Sequence, residues 1–109
     1  MNAFEYSKEA IEVCSRFSFI KEIEISLLDE PVVKIKASIQ KNSFINIFYN
    51  ADTSKYSFSL IKDNKRIFGL DNTRKWHIHP FEDPNSHIET DPLSLIDFLE
   101  MLKSVKNKY

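Results

Sequence analysis

All three histidines of the chain, His77, His79 and His87, fall within a stretch of eleven residues. The first two form a His-x-His pair. If Trp76 to His79 is extended, the two-residue period of a strand sends both imidazoles to one face and sends Trp76 and Ile78 to the other. His87 lies on a following loop that can return to the same place, and Asp71, Glu82 and Asp83 supply carboxylates close by in sequence. Imidazole titrates near neutrality, so such a cluster can take a proton from a hydroxyl and return one to a leaving oxygen. Cleavage of RNA needs both steps, and a cation to hold the phosphate. Arg74 and Lys75 directly precede the pair, and Arg66 is a further cation upstream. Trp76 offers an unpaired base a stacking surface if its ring is accessible, or is a core side chain facing away if it is not.

The acid–base group expected from these residues is therefore His77, His79, His87 and Asp71, partly exposed on one side of a sheet. Arg66, Arg74, Lys75 and Trp76 are the expected nucleic-acid contacts. This reading requires no cofactor and no metal. Two rival readings use the same residues. His-x-His on a strand presents two nitrogens to a common point, and a third histidine or a carboxylate completes a zinc-type site. Alternatively, the histidines only hydrogen-bond the long loop into place.

The elements that must position these residues show in the hydrophobic period. Phe4, Ala10, Ile11, Val13, Cys14 and Phe17 have helical spacing, which predicts a helix near Phe4 to Phe17. From Ile20 the period changes to two. Ile23, Ile25 and Leu27 alternate with Glu22, Glu24 and Ser26, then Val33, Ile35, Ala37 and Ile39 alternate with Lys34, Lys36 and Ser38. These segments predict paired antiparallel strands turning at Asp29-Glu30-Pro31, with glutamate and lysine facing outward. Further strands are predicted at Phe44 to Tyr49, Tyr56 to Ile61 and Arg66 to Leu70, separated by turn-forming residues at positions 50–54 and 63–65. Gly69, the only glycine, suggests a bulge or a close backbone approach, or room for a large neighbour such as Trp76. Pro80 ends the short strand Trp76 to His79, and Phe81 to Asp91 reads as a long loop. Thr90 or Asp91 can cap a last helix near Leu93 to Lys103, with Pro92 in its first turn and Leu95, Phe98, Leu99, Leu102 and Val105 as its apolar stripe. The expected architecture is α+β: an antiparallel meander of five or six strands, with both helices on one face because alternating strands have one apolar side to cover.

Composition bounds the rest. A chain of 109 residues with 42% hydrophobic side chains matches a single domain spanning 1–109 with one core. The lone cysteine, Cys14, cannot form an internal disulfide, no membrane-spanning run is present, and the early glutamates argue against a secretory signal, so cytoplasmic residence is expected. Net charge is −1, yet it is unevenly distributed. Lys62, Lys65, Arg66, Arg74 and Lys75 face only Asp63 and Asp71 in their stretch, Trp76 to Leu102 has acids without lysine or arginine, and Lys103, Lys106 and Lys108 follow. Such a distribution is either solvated surface or a cationic strip beside an acidic partner-binding face.

The order Ile67-Phe68-Gly69-Leu70-Asp71-Asn72, then Trp76-His77-Ile78-His79-Pro80, then His87-Ile88 before a capped C-terminal helix, resembles the signature region of the TumE-type toxins. Asp71, Asn72, His77, His79, Pro80 and His87 carry the resemblance, which spans about the last third of the chain. It implies the toxin of a type II toxin–antitoxin pair, partnered by a helix-turn-helix antitoxin of the Xre class. RNA and a second copy of the chain are further candidate partners, with no membrane involved. A non-catalytic binding domain, in which the meander presents an edge and the histidine loop is structural, is the alternative from a different functional class.

Overall fold

The computed structural model describes residues 1–105, so Lys106 and Lys108 of the basic C-terminal stretch lie outside the described residues. The chain runs α1 (Ala3–Cys14), β1 (Glu22–Asp29), β2 (Val32–Gln40), β3 (Ser43–Asn50), β4 (Lys55–Lys62), β5 (Lys65–Asp71), β6 (His77–His79), β7 (Ile88–Glu89) and α2 (Leu95–Ser104). The strands pair antiparallel in sequence order. The α+β meander is as expected, with seven strands instead of five or six. The added strand is β7, only two residues long and embedded in the segment expected to be loop. Among the described residues no helix is long and apolar enough to cross a membrane.

Both helices cover the same face. Ile35, Ile45, Ile47, Phe58, Leu60 and Leu70 point to that side and are almost fully buried together with Ala10, Cys14, Phe98 and Leu99 of the helices. Phe98 packs its ring 5.6 Å from Phe58 and 5.5 Å from Phe68, and Tyr6 stacks 4.5 Å from Tyr49. Both helix starts close with capping boxes, Asn2 with Glu5 and Ser94 with Asp97. The Glu30 carboxylate, reaching over from the β1–β2 turn, accepts from the Ala3 and Phe4 amides at 2.8 and 2.9 Å and so satisfies two further orphan donors of α1.

Three local expectations are corrected. The cap of α2 is Ser94, not Thr90 or Asp91, because the Asp97 carboxylate accepts from the Ser94 amide at 2.8 Å and the Ser94 hydroxyl accepts from the Asp97 amide at 3.2 Å. α1 stops at Cys14, and Phe4 faces solvent at 54% exposure, whereas Phe17 is buried from the turn beyond the helix. In β1, a bulge between Ile25 and Leu27 shifts the side-chain phase, so Leu28, not Leu27, is opposite the inward Val33. As an edge strand with one neighbour, β1 leaves Ile25, Leu27 and Leu28 each 40% exposed.

Candidate active site

The register of β5 with β6 pairs Asp71 with His77 and Gly69 with His79, and β7 brings Glu89 opposite His77. Directly opposed residues share a face, so Asp71, His77 and His79 meet on the side of the sheet away from the helices. The His77 and His79 Nε2 atoms are 3.1 Å apart, and the Asp71 carboxylate lies 3.3 Å from the first through Oδ1 and 3.2 Å from the second through Oδ2. His87 comes back from the loop, its ring centroid 4.7 Å from that of His77 and 4.6 Å from that of His79. Exposure is graded: His79 is buried, His77 half-buried and His87 exposed. The expectation of two partly exposed imidazoles thus holds for His77 alone of the strand pair.

Two features of β5 make room for this cluster. A bulge in its pairing with β4 sets Arg66 opposite Ile61 and Phe68 opposite Leu60, so Ile67 is the additional residue. That extra residue turns Arg66 to the histidine side while Phe68 keeps its place in the core. Gly69 is the close approach: a β-carbon there would stand 3.3 Å from both Arg66 Cδ and His79 Cδ2. The space it leaves is therefore used by His79 and Arg66, not by Trp76.

The protonation pattern follows from the partners. Backbone carbonyl oxygen of Lys75 lies 2.9 Å from His77 Nδ1, which must therefore carry the hydrogen and donate it, leaving Nε2 with its lone pair in the neutral ring. His79 then supplies an Nε2–H shared between Asp71 and His77. Its Nδ1 is buried with no hydrogen-bond partner among the described residues, which suits a lone pair far better than an N–H. Desolvation by burial accordingly holds the His79 pKa below the ordinary 6.5, against the opposing pull of Asp71. For Asp71, burial is the largest influence and pushes upward, but it is outweighed by the Thr73 amide, the His79 hydrogen bond and the nearby His77, so its pKa lies below 3.8.

Both shifts act in the same direction on stability. Below 6.5 the unfolded chain binds a proton at His79 that the folded protein resists, and below 3.8 the same holds at Asp71. The contribution of each is complete above its ordinary pKa and is lost as pH falls through the lowered folded value. Melting temperature is expected to drop as metal-free buffer is taken from pH 7 toward 5, and a His79→Gln variant should show a flatter profile over that range. Parallel profiles for the two proteins would show that His79 is not the group responsible.

Arg66, Arg74 and Lys75 line the same open hollow of about 690 Å³ as the histidines and Asp71. Lys75 reaches Glu89 at 3.4 Å, with both side chains mostly in solvent. Trp76 is not brought to this side: it packs against the core on the helix face and stacks 5.9 Å from Tyr56. Asn72, next to the cluster, ties the end of β5 to the β3–β4 turn by accepting from the Tyr56 amide at 2.8 Å and donating to the Ser54 carbonyl at 2.9 Å. Sequence reasoning missed Glu89, whose place opposite His77 depends on β7, and Thr73, whose amide donates to Asp71 Oδ1 at 3.0 Å. A two-residue strand has no period to detect, but an Asp followed two residues later by a free amide is a recognisable turn signal.

A family model described as Toxin TumE matches residues 9–108, nearly the whole chain and well beyond the histidine segment. No curated protein and no solved structure matches it.

Proposed function

Since the chain belongs to the TumE toxin family, we propose that it is the toxin of a type II toxin–antitoxin pair and that it cleaves RNA with its histidine cluster. The observation that carries this reading is the convergence of His77, His79, His87 and Asp71 in an open, cation-lined hollow. His87, which is exposed, and His77, the less buried imidazole of the strand pair, exchange protons with the substrate. As the shared His79 hydrogen turns wholly to Asp71 Oδ2, His77 Nε2 takes the proton of a 2′-hydroxyl, the 2′-oxygen attacks the adjacent phosphorus, and the bond to the 5′-oxygen breaks as His87 protonates it. His79 and Asp71 orient His77. Arg66 and Arg74 hold the phosphate oxygens as charge develops on them. The partner is read as a helix-turn-helix antitoxin of the Xre class, which restrains this activity.

The test is cleavage of a defined RNA by the purified toxin in the absence of antitoxin. The expected products carry a 2′,3′-cyclic phosphate and a 5′-hydroxyl, and a single 2′-deoxy substitution at the cleaved position should block the cut. Products with a 5′-phosphate would reject the mechanism, and intact RNA alongside undiminished growth arrest would favour a non-catalytic binding domain.

One observation favours a second reading. The donor atoms of His77, His79 and His87 all lie within 4.8 Å of one another, and the bond from His77 Nδ1 to a backbone carbonyl is the orientation in which metal-ligating imidazoles are usually held. The same four side chains would suit a zinc-type ion. Adding a chelator separates the chemistries: acid–base cleavage continues, whereas metal-dependent cleavage stops and returns with added zinc.

A further inference from the structure

The sheet carries its helices on one face, and across the other face two rows of residues lead to the histidines. One row runs Lys34, Phe48, Ser57, Asp71, His77, each directly opposite the next. The neighbouring row runs Lys36, Asn46, Ser59, Gly69, His79. From β2 to β6 there are four strand spacings, about 19 Å in all. The middle of both rows is low, because Ser57, Ser59 and Gly69 stand between larger side chains. Phe44 and Phe48 are half-buried on this face, and the Lys36 ammonium lies 4.5 Å from the Phe44 ring centroid. A second hollow of about 380 Å³ opens beside Lys36 and Phe44. Beyond them, Glu22 and Glu24 on β1 are exposed and would repel a phosphate backbone, which sets the far end of the path at β2.

We propose that this open face is a binding path for single-stranded RNA, with a base stacked on Phe48, phosphates held by Lys34 and by Lys36 above the Phe44 ring, and the strand leading over the serine and glycine trough to His77. The proposal rests on the reading of the histidine cluster as a site that acts on RNA. Aromatic rings interleaved with cations suit unpaired bases, whose faces are open, and a duplex cannot offer them. The face is also too rich in lysine, asparagine and serine to resemble the apolar centre of a protein interface.

The test uses the full chain and a fluorescent 2′-O-methyl RNA oligonucleotide, which has no free 2′-hydroxyl and so reports binding whether or not the site cleaves. By anisotropy, Phe48→Ala is expected to weaken binding about 5- to 150-fold, as loss of one stacking platform does. Phe48→Tyr should retain it. Lys34→Gln with Lys36→Gln should reduce the slope of log affinity against log salt by about 1.4, the value for two lost phosphate contacts on a single strand. Folding of each variant is checked by melting. The proposal is overturned if the wild type does not bind, if a duplex of the same sequence binds as well, or if these variants match the wild type. It is also overturned if they release the antitoxin while keeping the oligonucleotide. Tight binding without cleavage of ordinary RNA upholds the path and rejects the acid–base reading instead.

Discussion

Replacing His77 or His87 with Ala is expected to slow RNA cleavage by about 10²- to 10⁴-fold, the usual loss when a positioned proton donor or acceptor is removed. Growth inhibition in cells without antitoxin should disappear with it. Stability should change far less. His87 is exposed, so its removal is expected to cost within about 0.5 kcal/mol. His77, whose side chain is 12% exposed, gives up the hydrogen bond to the Lys75 carbonyl, worth about 1 kcal/mol, and with it the packing of its ring against His79, so its melting temperature should fall more than that of the His87 variant. Single-turnover cleavage and thermal melting on the same preparations check both halves of the expectation. Removing His79 would be a poorer test, because that ring is only 3% exposed and its loss opens a cavity beside Gly69 as well as changing the chemistry. A well-folded His77→Ala protein with full activity would take this residue out of the mechanism.

Replacing Phe98 with Ala is expected to cost about 3–5 kcal/mol, the range for an aromatic ring deleted from a packed core. Phe98 is fully buried and is the ring through which α2 meets Phe58 of β4 and Phe68 of β5. For a domain with a total stability of about 5–15 kcal/mol this is a large share, and the melting temperature should fall by at least about 10 °C. Phe4→Ala is the matched control. Its ring is 54% exposed, and the expected change is within about 0.5 kcal/mol. Denaturant melts of both variants decide the matter: equal losses would mean that α2 does not seal the sheet as described, and no loss at Phe98 would mean that it does not dock.

Phe4 and Phe98 also mark the boundary of what periodicity can reveal. Both belong to apolar stripes at helical spacing, yet Phe4 points away from the packed side of α1, whose first turn is buried through Ala3, Tyr6 and Ser7. Cap identity has the same character. Thr90, Asp91 and Ser94 are all good capping residues, and the choice fell to Ser94 because Asp97 completes a reciprocal pair with it. Bulges are least visible of all: the extra residues at Ser26 and Ile67 shift the phase of a strand without any unusual composition.

The α+β class, the meander order, the two helices on one face, the shared side of His77 and His79 and the opposite side of Trp76 all follow from local period and turn chemistry. The resemblance to the TumE toxins was likewise legible in Asp71, Asn72 and the histidines, and the family match over residues 9–108 extends it to nearly the whole chain. Long-range pairing set the remainder. Register between β5 and β6 set Asp71 against both imidazoles, loop closure through β7 returned His87, and the β5 bulge turned Arg66 toward them. The physical reason is one of range: a strand's alternation is fixed by each residue's own backbone, whereas pairing register and bulges depend on segments the local sequence does not contain.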